Sequence, residues 1–217
     1  MRWIYLIAIV PTLTEWLESG AFPKAPREAI TDLMLTLLLL AVSWLVCRQH
    51  DRILEMAQTD GLTGLLNNRC FHGDLQQEIQ RARRQNTPLS LAVLDLDGFK
   101  GVNDRHGHAE GDEVLCRVAR LISDSVRRHV DRCYRVGGDE FAFLLPGSKA
   151  SDALKVFDRI RLQAQEEPTA LCRYGAGLSG GVVELQAAEQ PAEFVRRADE
   201  LLYTAKSAGK NRILTGG

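Results

Sequence analysis

Charge of neither sign is in excess in this chain. Its 217 residues carry 27 Lys and Arg against 28 Asp and Glu, a formal net charge of −1. A protein that grips nucleic acid through its phosphates carries a basic surplus, so no nucleic-acid partner is expected. Cysteine is sparse and scattered. Cys47, Cys70, Cys116, Cys133 and Cys172 form no C-x-x-C pair and no metal-ligand spacing. Reduced thiols, mostly in core positions, are expected rather than a disulfide framework. Low-complexity tracts and internal repeats are also missing. What is present is 45% hydrophobic and 25% charged residues, enough for one ordinary domain of roughly 100–200 residues plus an appendage.

The appendage is N-terminal. An apolar run from Trp3 to Val10 is broken by Pro11 and Glu15. It is short for a spanning helix, which needs about 20 mostly apolar residues. A signal-peptide reading, with Arg2 as a minimal basic region, lacks a small-x-small cleavage site close behind the run. Ala29 to Cys47 is stronger. Asp32 is its only charge, Trp44 suits a membrane interface, and Arg48 and Arg52 follow directly, which favours a cytoplasmic C-terminal end. The expected arrangement is a membrane hairpin, with Glu18 to Glu28 as its outer turn. The alternative is one span plus an amphipathic N-terminal helix, and Lys24 and Arg27 in the turn dilute the charge argument. Arg48 to Gln58 contains no Gly or Pro and is expected to continue as a helical linker. It is either a solvated connector or a rod that sets the spacing of two globular domains. The expected organisation is an anchor over 1–47, a linker over 48–59 and a globular domain over 60–217.

The globular part opens with a break at Thr59 to Arg69, where Asn67 or Asn68 can cap the next helix. Helical periodicity follows from Cys70 to Asn86, with Phe71, Leu75, Ile79 and Ala82 on one face. Leu89 to Asp97 reads as a central strand, continuous and apolar at first. Its last residues alternate, so Asp95 and Asp97 point to the same face. Carboxylates at the end of a buried strand need a cation or donors. Asp95 is expected on a metal and Asp97 in a supporting role. Phe99 to Asp112 is dense in glycine and polar groups. Glu113 to Val130 is a long amphipathic helix.

Tyr134 to Pro146 is a hairpin around Gly137-Gly138, with positive φ expected at the glycines. Asp139 and Glu140 sit at its turn. Backbone bare of side chains at Gly137 and Gly138 admits a phosphate, and the carboxylates can hold the cation it brings. Beyond it, a helix over Ser148 to Glu166, strands over Leu171 to Tyr174 and Gly177 to Leu185, a helix over Pro191 to Ser207 and a short strand over Asn211 to Leu214 are expected. This is an α/β (α+β) pattern, a mixed central sheet covered by helices.

Three stretches carry a family resemblance: Gly137 to Phe141, the run D-x-D-x-F-K-x-V-N-D-x-x-G-H-x-x-G-D from Asp95 to Asp112, and the opening motif from Asp60 to Arg69. Together they resemble the GGDEF family of diguanylate cyclases, with a palm-like nucleotidyl-cyclase fold. The resemblance implies that two GTP condense to cyclic di-GMP and two pyrophosphates, on a homodimer at the bacterial inner membrane with its catalytic domain in the cytoplasm. It implies Mg²⁺ or Mn²⁺ on Asp95, the Leu96 carbonyl, Asp139 and Glu140, with Asp139 and Glu140 as catalytic carboxylates. Asn103, His108, Asp112, Gly137, Gly138, Lys206 and Lys210 are implied on the nucleotide. Asp112 is chemically apt, because a carboxylate accepts guanine's N1–H and N2–H₂ as a pair. Arg128 and Asp131 match an R-x-x-D site for inhibitory product. Two positions depart from the pattern: Lys210 where the family more often has Arg, and Gly180 where it usually has a bulky residue, which is expected to loosen the strand. The competing reading is a catalytically silent receptor for GTP or cyclic di-GMP.

Overall fold

The computed structural model describes residues 26–56, 58–166 and 170–216. Two compact units divide at Gln58. The first is helix α1, Pro26–Met56. Its segment Ile30–Gln49 has mean hydropathy 2.2 and none of it is buried, so it is long and apolar enough to cross a membrane. Arg48 lies over the Trp44 ring at 5.0 Å, a cation–π pair at the polar end of the apolar stretch. The helix runs unbroken through the linker to Met56. The expected first arm of a membrane hairpin, Trp3 to Val10, lies outside the described residues.

The second unit is a six-stranded mixed sheet in the order β1-β3-β4-β2-β5-β6. In chain order it runs β1 Leu66–Asn67, α2 Asn68–Gln85, β2 Leu89–Asp97, α3 Phe99–His106, α4 His108–Ser125, β3 Arg132–Arg135, β4 Glu140–Pro146, α5 Ala150–Gln165, α6 Ala170–Tyr174, β5 Gly177–Glu184, α7 Pro191–Ser207 and β6 Ile213–Gly216. The pairs β1–β3 and β5–β6 are parallel; β3–β4, β4–β2 and β2–β5 are antiparallel.

All nine residues of β2 are buried, because both sheet faces are covered. Leu89, Leu91 and Val93 pack with Phe71 and Ile79 of α2 and Phe194 and Leu202 of α7. Ala92, Leu94 and Leu96 face the opposite way, onto Val114, Val118 and Ile122 of α4 and Phe157 and Ile160 of α5. Asp95 and Asp97 continue the first set, so they emerge on the α2–α7 side at the strand's C-terminal end. Asn67 caps α2, its Oδ1 accepting from the Cys70 N–H at 3.1 Å.

The structure corrects several expectations. Phe99 to Asp112, to which the sequence assigns no element, forms α3 and the start of α4, joined at Gly107 with φ 86°. Gly107 serves as the joint, and Gly111 lies inside α4. The long helix ends at Ser125, because Val126 is already extended. Leu171 to Tyr174 is within helix α6, stopped by Gly175 at φ 63°. Four apolar residues do not distinguish a strand from a helical turn. Gly180 does not loosen β5. A Cβ there would stand 2.2 Å from Leu94 Cδ2 and 2.9 Å from the Val93 carbonyl oxygen, so close packing excludes a side chain. Cys47, Cys70, Cys116 and Cys133 are free thiols of intermediate burial, and of these Cys70 and Cys133 pack against the core.

Candidate functional site

Register alone brings the two acidic stretches together. Asp95 of β2 is the Cα partner of Glu140 in β4 and of Ser179 in β5. One residue on, the Leu96 N–H donates to the Asp139 carbonyl at 3.2 Å, which extends the ladder into the turn. The Asp95 carboxyl is nearly sealed and meets the Lys206 ammonium of α7 at 2.7 Å. Burial pushes its pKa up to about 6; Lys206 opposes the rise, and the charges of Asp139 and Glu140 add to it.

Linkage gives that shift a direction. With a folded pKa of about 6 against an ordinary 3.8, the folded state holds the Asp95 proton more tightly than the unfolded chain does. Its contribution to stability therefore falls as pH rises through that window and is level above it. Asp95→Asn removes the dependence. The variant is expected to gain on the order of 2 kcal/mol relative to the parent between acid and neutral pH. Urea unfolding followed by far-UV circular dichroism reads this, since Trp3, Trp16 and Trp44 all precede the catalytic unit. A difference that stays flat with pH would contradict it.

Asp97 has a different task. Its Oδ2 accepts from the Ser179 hydroxyl at 2.7 Å and from the Asn211 N–H at 2.9 Å. It ties the loop after α7, which carries Lys210, to the sheet. Lys210 itself is exposed, with φ 62°. Lys206 faces Asp95 in this structure.

The turn between β3 and β4 is shaped from the side. Arg135 donates from Nη2 and Nε to the Gly138 carbonyl at 2.7 and 3.1 Å, and from Nη1 to Asp60 Oδ1 at 2.9 Å. Asp60 also accepts from the Thr63 N–H and hydroxyl, at 2.9 and 2.7 Å. These anchors escaped the sequence reading, although Asp60 and Thr63 stand in the opening motif. Neither Gly137 nor Gly138 has positive φ, contrary to expectation. They serve space instead. A Cβ on Gly137 would meet Glu140 Oε2 at 2.6 Å, whereas one on Gly138 would meet nothing within 4 Å. The Gly138 side of the turn is open to a ligand.

Asn103, His108 and Asp112 gather at the corner of α3 and α4, just past the end of β2. Gly111 presses on Asn103: a Cβ there would fall 1.9 Å from Asn103 Oδ1. His108 and Asp112 are exposed on the first turns of α4. Arg128 is exposed, and Asp131 is engaged by its neighbour instead. The Arg127 backbone N–H reaches Asp131 Oδ2 at 2.8 Å and Arg127 Nη2 reaches Oδ1 at 2.5 Å. Arg127 also donates to the Pro146 carbonyl and the Ser148 hydroxyl, both at 2.9 Å. Asp131 thus closes the loop between α4 and β3.

Between α2 and α7 a cleft of about 420 Å³ runs up to Glu140 and Lys206 over Phe71, Val93 and Ala142. Asp199 on its rim has its pKa raised by burial and by the charge of Glu140.

Among the described residues, no three His, Cys, Asp or Glu side chains form a ready-made metal cage. The donor chemistry nevertheless fits Mg²⁺ or Mn²⁺. Asp95, Asp139 and Glu140 offer only hard oxygens, and Mg²⁺ is usually held by one or two carboxylates together with substrate phosphates and water. The fit is supported by register, which pairs Asp95 with Glu140 and bonds the next residue, Leu96, to the Asp139 carbonyl.

The family model described as "Diguanylate cyclase, GGDEF domain" matches residues 57–212, and the chain belongs to the GGDEF family. It is similar to a diguanylate cyclase of Vibrio cholerae serotype O1, 37% identical over 164 residues covering 75% of this chain and 51% of the relative. It is also similar to the response regulator PleD of Caulobacter vibrioides, 35% identical over 170 residues covering 76% of this chain and 37% of the relative. The chain therefore spans about half or less of these relatives. The solved GGDEF domain of DgcB from Caulobacter crescentus, in complex with c-di-GMP, superposes with a TM-score of 0.68 at 34% identity, covering 73% of this chain and 95% of that one.

Proposed function

We propose that this chain is a diguanylate cyclase, condensing two GTP into cyclic di-GMP and two pyrophosphates. The observation that carries the reading is the pairing of Asp95 with Glu140, one residue from Asp139, at the open glycine turn. Asp95, the Leu96 carbonyl, Asp139 and Glu140 would hold Mg²⁺ or Mn²⁺. Such an ion, when bound, polarises the α-phosphate and offsets the charge of the leaving pyrophosphate. Asp112 accepts the N1–H and N2–H₂ of guanine, with Asn103 and His108 beside it. The Gly137–Gly138 backbone lets the triphosphate approach, and Lys206 and Lys210 neutralise it. Asp139 takes the proton of the attacking 3′-hydroxyl. The new bond joins the 3′-oxygen to the α-phosphorus of the second GTP, and the bond to pyrophosphate breaks. A second round closes the ring. Each domain carries one GTP, so the reaction needs two domains face to face, in a homodimer.

The N-terminal part, residues 1–47, serves as a membrane anchor, its apolar segment, which begins at Ile30 and runs to Gln49, crossing the bacterial inner membrane. Residues 48–59 link it to a cytoplasmic catalytic domain over 60–217. Arg48 at the end of the apolar stretch supports that orientation.

The test is turnover of GTP with Mg²⁺ by the full chain, with the product identified and ATP present as competitor. Cyclic di-GMP is the expected product. Bound nucleotide without product would make the chain a receptor. The exposed Arg128 is the residue proposed to hold inhibitory product, while Asp131, engaged by Arg127, shapes the loop beside it. Arg128→Ala is expected to raise the concentration of cyclic di-GMP needed for half-inhibition by tenfold or more, the cost of losing a charged pair of hydrogen bonds. Superimposable inhibition curves would remove Arg128 from the site.

A further inference from the structure

The geometry points to Lys206 as the resident counter-ion of Asp95, one that keeps a bare divalent cation out and yields only to a cation arriving on nucleotide phosphates. The inference rests on the metal role given above to Asp95 and adds an order of binding to it.

The Asp95 carboxylate is 7% exposed and its Oδ2 lies 2.7 Å from Lys206 Nζ. The like charges of Asp139 and Glu140 both act on Asp95, which pairs with Glu140 across the sheet. A buried carboxylate in such company needs a positive neighbour, and the ammonium is the one in contact. Lys206 is held in place by the helix that carries it. It lies in the last turn of α7, where the dipole favours a cation, and directly follows the fully buried Ala205. Its own side chain is 36% exposed, so the ammonium can swing into solvent without unpacking the helix.

A bare divalent cation binding Asp95 must expel this ammonium and leaves it close by, repelled by the cation. The cleft that Lys206 lines offers it Glu140, itself assigned to the metal, and Asp199 on the rim. A cation bound to a triphosphate brings its own anions. The displaced Lys206 then pairs with a phosphate, and the repulsion becomes an ion pair. The lysine that neutralises the triphosphate is thus the same group that guards the metal ligand. Lys210 makes no ion pair among the described residues, so it takes a phosphate without first releasing a carboxylate.

The test is binding of Mn²⁺ alone to the full chain in detergent, read from the electron paramagnetic resonance of free Mn²⁺. Lys206→Met keeps the apolar stem and removes the charge. It is expected to bind Mn²⁺ at least tenfold tighter than the parent, and Lys206→Gln to do the same. Lys206→Arg, which keeps the charge, is expected to match the parent. Asp95→Asn is expected to lose the site in either background. Thermal melts by circular dichroism check that each variant is folded. If Asp95→Asn removes Mn²⁺ binding but Lys206→Met and Lys206→Gln bind no tighter than the parent, the guarding role is wrong while the metal role stands. If Asp95→Asn added to Lys206→Met leaves Mn²⁺ bound as tightly as in Lys206→Met alone, the metal role of Asp95 fails, and this inference with it.

Discussion

Asp139→Ala is expected to abolish cyclic di-GMP synthesis, by roughly 10³-fold or more, while the domain stays folded. The size follows from the charge cluster. Removing one group that acts on developing charge in a dry site commonly costs two to three orders of magnitude, and Asp139 is assigned both a metal contact and the 3′-hydroxyl proton. The fold survives because the structural task of this residue belongs to its backbone. Its carbonyl accepts the Leu96 N–H at 3.2 Å, and an alanine offers the same carbonyl. The turn is held independently by Arg135 on the Gly138 carbonyl. Activity by product identification and thermal melts by circular dichroism separate the two effects. Turnover like the parent's would strip Asp139 of its role. A lowered melting temperature with proportionate loss would make it a structural residue.

What the sequence disclosed was local or periodic. Strand β2 runs from Leu89 to Asp97 and helix α7 from Pro191 to Ser207, as their patterns predict. A buried strand and an amphipathic helix with proline at its start write their bounds into adjacent residues. Asp97 took the supporting role its neighbouring position suggested. The failures have another origin. Between Phe99 and Asp112 no element was legible, because Gly107 joins two helices there and Gly111 makes room for Asn103. At Gly137 and Gly180 the absent side chain leaves space for Glu140 and Leu94, which no local pattern records. Contacts between distant residues were equally hidden. Arg135 meets Asp60 across 75 positions and Asn211 meets Asp97 across 114. Arg127 shows the same limit at short range. Beside Arg128 in sequence, it was the one that folded onto Asp131.

Two glycine substitutions should part in opposite ways, and the contrast tests how the fold aims the site. In Gly181→Ala the new Cβ would lie 2.2 Å from the Ala198 carbonyl oxygen, 2.7 Å from Leu201 Cβ and 2.9 Å from the Leu202 nitrogen. Two of these are backbone atoms of α7, so no rotamer change relieves the clash and the helix itself must back away from β5. Phe194, Ala198, Leu202 and Ala205 then lose packing. A loss of about 3 kcal/mol in urea unfolding is expected, the upper range for overpacking. Because Lys206 follows Ala205 on that helix, its contact with Asp95 Oδ2 is expected to lengthen as well. Turnover should fall even where the variant is still folded. Gly138→Ala is the counterpart. Its Cβ meets nothing within 4 Å and its φ is not positive, so unfolding should be unchanged within about 0.5 kcal/mol. Its methyl group nevertheless intrudes where the triphosphate is proposed to approach, so KM for GTP should rise. If Gly181→Ala unfolds like the parent, the seat of α7 on β5 is looser than the contacts require. If Gly138→Ala leaves KM untouched, the nucleotide does not approach over that side of the turn.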